Sequence, residues 1–247
     1  HALLWALENL VSKKSNRLEL VSLKTSFNRS IGVGETVQFI LKTEDETCAE
    51  IQLLAEKKQA ARIMVTCSLS VNRDHLSFSN SNPARRECLD RNAEQLTKAS
   101  GNLDLCLNQN ETALRFPNLM RVFPSSQLAE LMALTRLVGM ECPGLYSIFS
   151  DLNLDFSNPR DETPRLTYKV LSYDSRIQLL TQNVQAPGMT GTLRAFLRPP
   201  PQQQGGYLEL SKQVQKDEFS DQVALIIGGS RGLGEVTGKL LAAGGAR

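Results

Sequence analysis

Histidine is close to absent from this 247-residue chain, in which His1 and His75 are the only two. Imidazole acid-base chemistry, or activation of a nucleophile by an imidazole, therefore has at most these two positions to use. Aromatic residues make up 6% of the chain, and its scattered basic residues leave a formal net charge of +2. Such a chain lacks both the stacking platform and the basic patch of a nucleic-acid-binding surface. No apolar run approaches the length that spans a bilayer, and the start shows no signal-peptide pattern. The expectation is a cytoplasmic protein with no membrane partner. The five cysteines, Cys48, Cys67, Cys88, Cys106 and Cys142, are odd in number and unpatterned in spacing. They read as reduced thiols and offer neither a disulfide framework nor a metal site.

What the chain does contain is internal similarity. The segment Ala2-Leu3-Leu4-Trp5-Ala6-Leu7-Glu8-Asn9-Leu10-Val11 is answered by Ala129-Glu130-Leu131-Met132-Ala133-Leu134-Thr135-Arg136-Leu137-Val138. Both are apolar at helical spacing on nearly all sides, which predicts two helices buried against sheets. The alternating run from Leu18 to Phe27 matches Tyr146 to Phe156, and Ile51-Gln52-Leu53-Leu54 matches Ile177-Gln178-Leu179-Leu180. Order and approximate spacing persist across all three, so the sequence reads as a duplicated helix-then-strands unit. Further strands are predicted at Glu35 to Lys42 with Glu50 to Ala55, and at Arg165 to Tyr173 with Arg176 to Gln182. Arg62 to Leu69 and Met189 to Leu197 would close the two sheets.

The predicted organisation is a first repeat over 1–81, a charged connecting helix or linker over 82–100, and a second repeat over 101–198. A Pro/Gln/Gly tether over 199–217 precedes a last segment, 218–247. That segment runs from Val223-Ala224-Leu225-Ile226-Ile227 into Gly228-Gly229-Ser230-Arg231-Gly232-Leu233-Gly234. An apolar strand, a glycine turn and a helix start form a phosphate-binding pattern, because glycine lets the backbone approach a pyrophosphate at a helix N-terminus.

The spacing Gly228-x-x-x-Gly232-x-Gly234 resembles the short-chain dehydrogenase/reductase family, with Ile227 where that family usually has Thr. The resemblance covers residues 218–247 and implies NADP at Gly228, Ser230, Arg231, Gly232, Leu233 and Gly234, with Arg231 as the basic residue that accompanies NADP. With the chain ending at Arg247, the neighbouring parallel strands of such a site are missing. Tight NADP binding is expected only of a longer protein carrying the full domain.

The duplicated unit resembles the double-hotdog hydratases and dehydratases of the MaoC-like family. This implies an α+β fold in which a long helix is wrapped by antiparallel sheet in each copy, followed by a truncated Rossmann β-α element. The implied ligand is an acyl-CoA or acyl-carrier-protein thioester, in a likeness that carries homodimers and fatty-acid or polyketide-type metabolism with it. His1 falls where the family has a His-Gly pair opening the first helix, with Ala2 replacing Gly. The family's D-x-x-x-x-N-P-x-H signature is missing, since Asn82-Pro83 is followed by Ala84-Arg85. His75 beside Asp74 reads as a surface imidazole.

Within the second copy, Glu141 is a candidate general base and Cys142 or Ser147 a candidate nucleophile. Pro143-Gly144 equally reads as a plain helix-to-strand turn. The reading is a 3-hydroxyacyl-thioester dehydratase or hydratase joined to a reductase. Two alternatives remain: a catalytically silent acyl-carrier-binding or dimerisation module, and a thioesterase using Glu8, Glu130 or Glu141.

Overall fold

Alternating burial along consecutive strands builds the larger part of the molecule. The computed structural model describes residues 2–70, 78–83, 87–158, 163–200 and 203–247. His1, His75, Asp74, Ala84 and Arg85 lie outside the described residues. The chain forms two compact units that divide between Arg198 and Pro199. No helix among the described residues is long and apolar enough to cross a membrane.

In the first unit, helix α1 (Ala2–Val11) precedes strands β1 (Leu18–Phe27), β2 (Val37–Glu44), β3 (Cys48–Ala55) and β4 (Lys58–Leu69). A short helix α2 (Ala93–Thr97) and strand β5 (Ser100–Asp104) follow. Helices α3 (Gln109–Arg115), α4 (Pro117–Val122) and α5 (Ser125–Arg136) lead into a π-helical turn at Leu137–Glu141. Strands β6 (Ser147–Phe156), β7 (Arg165–Asp174), β8 (Leu179–Ala186) and β9 (Met189–Leu197) complete the unit. Strands β3 and β8 bury every second residue, and β7 does so as far as Val170, the pattern of strands with one face on a core.

One nine-stranded sheet forms in the order β2-β3-β4-β1-β6-β9-β8-β7-β5. Read outward from its centre, β1 is followed by β4, β3 and β2, while β6 is followed by β9, β8 and β7. The order is mirrored, with a helix preceding the innermost strand on each side. The sequence suggested two sheets, but β1 and β6 pair antiparallel from Ser22↔Asp155 to Ser26↔Asp151 and join them. Each strand would otherwise present an unpaired edge, and mutual pairing satisfies both rows of backbone groups.

Helix α5 lies against this sheet buried on nearly all sides, with every residue from Ser126 to Leu131 below 9% exposure. Its polar residues are used for docking. Strand β1 carries a bulge between Leu20 and Ser22, and the β6 ladder reaches only as far as Ser22. The side chain of Gln127 fills the gap. Its Oε1 accepts the Leu20 N–H at 2.8 Å, and its Nε2 donates to the Leu20 carbonyl at 3.0 Å. A buried backbone pair that the ladder leaves over is thereby satisfied.

Of the connecting helix or linker over 82–100, the described residues hold one helical turn, Ala93–Thr97, which a capping box of Asn92 and Gln95 starts. The preceding Leu89 instead bonds the backbone of Met140 and Leu145. Residues 100–104 are an edge strand on β7. The match of Ile51 with Ile177 is out of register, since Ile177 lies before β8 and Gln182 has the place in β8 that Ile51 has in β3.

The second unit, Pro199–Arg247, contains helix α6 (Tyr207–Leu210), a 3-10 turn at Ser211–Gln213 and helix α7 (Gly232–Ala243). The stretch from Val223 to Ile227 joins no sheet, contrary to the strand expected there. Its Ala224 N–H donates to Arg247 O, and the neighbouring Gln222 carbonyl accepts the Arg247 N–H. Val223, Leu225 and Ile227 are 84%, 90% and 91% exposed. A β-prone sequence does not make a strand without a neighbour to supply the ladder.

Replacing Gln127 by Leu is expected to destabilise the first unit by about 3 kcal/mol, because two buried backbone groups lose their partners. Urea unfolding monitored on the sheet would measure it, and a loss under about 1 kcal/mol would show that Gln127 is not the anchor.

Candidate functional site

The seam where β1 and β6 meet opens at one end into an apolar cavity of about 930 Å³. Helix α5 contributes Leu131, Leu134 and Thr135, which the helical repeat places on one face. Strand β6 contributes Ile148, Phe149 and Leu152, and the first turn of α1, Ala2 to Trp5, forms a further wall. Both mirrored halves therefore build the cavity.

The polar part of the lining comes from the loop between β1 and β2. Arg29 donates from Nη2 to both Glu35 carboxylate oxygens, at 3.0 and 2.9 Å, and from Nη1 to the Ala55 carbonyl at 3.0 Å. Glu56 lies 3.7 Å from the same guanidinium. The charges of Arg29 and Glu35 are thus spent on each other and on the backbone. A cavity so lined accepts an uncharged apolar group.

The residues singled out from the sequence lie elsewhere, and none of Glu8, Glu130, Glu141, Cys142 and Ser147 lines this cavity. Glu141 borders a separate polar pocket of about 470 Å³, together with Asn82, Asn102, Cys106 and Arg136. Cys142 is fully buried, and burial pushes its thiol above the usual range against the pull of the Arg91 guanidinium. Its carbonyl accepts Gln182 Nε2 at 3.0 Å. Ser147 Oγ donates to the Val138 carbonyl at 2.6 Å, capping a carbonyl of the π-helical turn. Gly144, at φ +94°, permits the turn that follows, since a Cβ there would stand 2.1 Å from the Leu89 carbonyl.

The thioesterase candidates are likewise engaged. Glu8 accepts the Asn118 N–H at 3.0 Å, Asn118 Nδ2 at 2.7 Å and the Leu119 N–H at 2.8 Å. These donors include first-turn N–H groups of α4, so Glu8 is a carboxylate cap brought from α1. Glu130 is 0% exposed, and its Oε1 accepts the Gly188 N–H at 2.7 Å in the β8–β9 turn. Among the described residues, no group of three or more His, Cys, Asp or Glu is placed to hold a metal ion.

The cavity lining was not legible in the sequence. The signal it held was the apolar alternation Ile148-Phe149-x-x-Leu152, which marks an inward face but does not say that the face is left partly uncovered.

In the second unit the glycine turn takes up backbone conformations that favour glycine. Gly228 and Gly232 have φ of +80° and +65°, and a Cβ at Gly234 would stand 2.5 Å from the Gly228 carbonyl, so the turn packs directly on α7. Ser230 and Arg231 lie in this turn, and Leu233 in the first turn of α7 is 88% exposed. The residues present fit a pyrophosphate.

Cys67 is the most strongly shifted thiol, pushed by burial from 9.0 to about 12. The folded state keeps a proton that the unfolded chain releases, so stability is expected to fall as pH rises from 9 towards 12. In the folded protein, Cys48 and Cys88 are exposed and are expected to react with a thiol reagent at pH 8, whereas Cys67 and Cys142 wait for unfolding. Mass mapping of the labelled peptides checks this, and early labelling of Cys142 would contradict its placement.

No family model matches the chain, and no curated protein sequence matches it. Solved structures similar to it include a tesB protein of Mycobacterium avium subsp. paratuberculosis, with 13% identity, 81% of this chain and 86% of that one covered, and a TM-score of 0.43. An acyl-CoA thioesterase II, TesB2, of Mycobacterium marinum has 13% identity, 83% and 90% covered, and a TM-score of 0.42. A MaoC-like dehydratase of Phytophthora capsici has 9% identity, 74% and 72% covered, and a TM-score of 0.35. All three scores lie below 0.5, so the architecture described above rests on its own strands and helices.

Proposed function

We propose that the unit ending at Arg198 is a tandem hotdog module that binds acyl thioesters and seats the acyl group in the cavity at the β1–β6 seam. The observation that carries this reading is the apolar cavity of about 930 Å³ with its charges internally paired. The mirrored strand order, each half led by a helix, supports the tandem part.

Binding without turnover is the favoured form. Dehydration needs a base at the carbon beside the carbonyl and an acid at the leaving hydroxyl. Of the carboxylates considered, Glu8 caps a helix, Glu130 holds a turn and Glu141 borders the separate polar pocket, while Glu35 in the cavity lining is paired with Arg29. In the same proposal, Gly228, Ser230, Arg231, Gly232, Leu233 and Gly234 form the opening turn of a short-chain reductase, which would hold the NADP pyrophosphate in a protein carrying the whole domain. NADP would supply hydride to a ketoacyl group there. The positive φ of Gly228 and Gly232 supports this turn.

Each methylene removed from water contributes about 0.8 kcal/mol. Lengthening an acyl-CoA by two carbons is therefore expected to tighten binding roughly tenfold until the cavity is full. Titration of the chain with a series from butanoyl- to decanoyl-CoA, with CoA alone as reference, tests the proposal. Leu134→Trp is expected to weaken the longer members at least tenfold by filling the space. Affinity independent of chain length would overturn the reading, and release of free CoA or formation of an enoyl product would replace it with a catalytic one.

NADP titration of these 247 residues is expected to give no saturation below about 1 mM. Tight binding would show that the exposed Val223–Ile227 stretch is part of a working site.

A further inference from the structure

Five aromatic rings line the cavity: Trp5, Phe27, Phe116, Phe149 and Phe196. The chain holds nine phenylalanines and one tryptophan, so half of these residues converge on one space. They come from α1, β1, the N-cap of α4, β6 and β9, which no single sequence segment would gather. Phe123 and Phe156, by contrast, are core residues with 4% and 8% exposure. The five cavity rings are not covered in this way: Trp5 is 37% exposed, and the four phenylalanines are all partly exposed.

Their mutual geometry leaves ring surface available. Phe27 and Phe149 stand 5.9 Å apart between centroids with planes at 49°, a tilted pair and not a closed stack. Trp5 meets Phe39 edge-on, at 6.4 Å and 83°. No tyrosine and no histidine is among the described lining residues, and Arg29 and Glu35 are spent on each other. A ring entering the cavity would thus meet apolar ring faces and edges, with no unpaired charge to match a charged substituent.

Resting on the acyl-thioester reading above, we infer that the acyl group this cavity selects carries a flat aromatic or conjugated group in place of a plain saturated chain. A saturated chain gains only the area it removes from water. An aromatic group gains the same area and adds edge-to-face or offset contacts with several rings, each a further gain beyond area. Two such contacts amount to about a tenfold preference. The cavity volume, at the upper end of ordinary ligand sites, leaves width for a ring as well as length for a chain.

The test compares 4-phenylbutanoyl-CoA with decanoyl-CoA, matched in carbon count, by calorimetric titration of the intact chain. The aryl ligand is expected to bind about tenfold more tightly. Phe149→Leu is expected to cut that preference to about twofold by weakening the aryl ligand more than decanoyl-CoA, and an unchanged urea midpoint shows that the variant is folded. Phe196→Leu serves as the second variant should the first fail to fold. Equal or tighter binding of decanoyl-CoA by the unaltered chain would overturn the aromatic preference and leave acyl binding standing. Failure of both ligands to bind would overturn the acyl reading itself.

Discussion

The bond pair between Gln127 and the backbone of Leu20 is the constraint from which the first unit's arrangement follows. It fixes helix α5 over the bulge in β1, where the ladder to β6 gives out. Once α5 is seated there, Glu130 reaches the β8–β9 turn on the other half of the sheet. A single helix is thereby tied to both mirrored halves by buried polar contacts. Such contacts contribute modestly while intact and cost far more when one partner is lost, so they specify position more than they add stability.

The cavity is a consequence of that seating. With α5 held at its N-terminal turn, Leu131, Leu134 and Thr135 line the cavity together with the start of β6, the first turn of α1 and the β1–β2 loop. The loop is held by the Arg29 guanidinium, which bonds Glu35 and the Ala55 carbonyl together. Three of the residues that look most chemical in the sequence are used by the fold as caps or core. Glu8 caps α4, Ser147 caps the π-helical turn, and Cys142 is sealed in the core. A carboxylate or hydroxyl that satisfies backbone groups is not available to polarise a ligand. The candidate site is therefore defined by shape and apolarity.

Much of the fold was legible in the sequence, because strand periodicity is a local property. The span of β9, Met189 to Leu197, was read to the residue, and the alternation in β1 and β6 marked both as half-buried strands. The pairing of β1 with β6 was not legible, since nothing local distinguishes an edge strand from one that meets its counterpart. The Ile51 and Ile177 match failed on register, which side-chain identity alone does not fix. The Val223–Ile227 run had the composition of a strand, but strand formation depends on a partner that composition does not contain. The cavity was invisible for a related reason: its rings come from elements far apart in the chain, and periodicity shows which face turns inward without showing what covers it.

The central claim is that an acyl group lies at the β1–β6 seam. The most direct measurement is photocrosslinking with an acyl-CoA that carries a diazirine on its acyl chain, followed by peptide mapping. The account predicts adducts in the peptides that contain Phe27 to Val37, Leu131 to Thr135 and Ile148 to Leu152. Adducts concentrated instead around Asn82, Asn102 and Glu141, in the polar pocket, would contradict it.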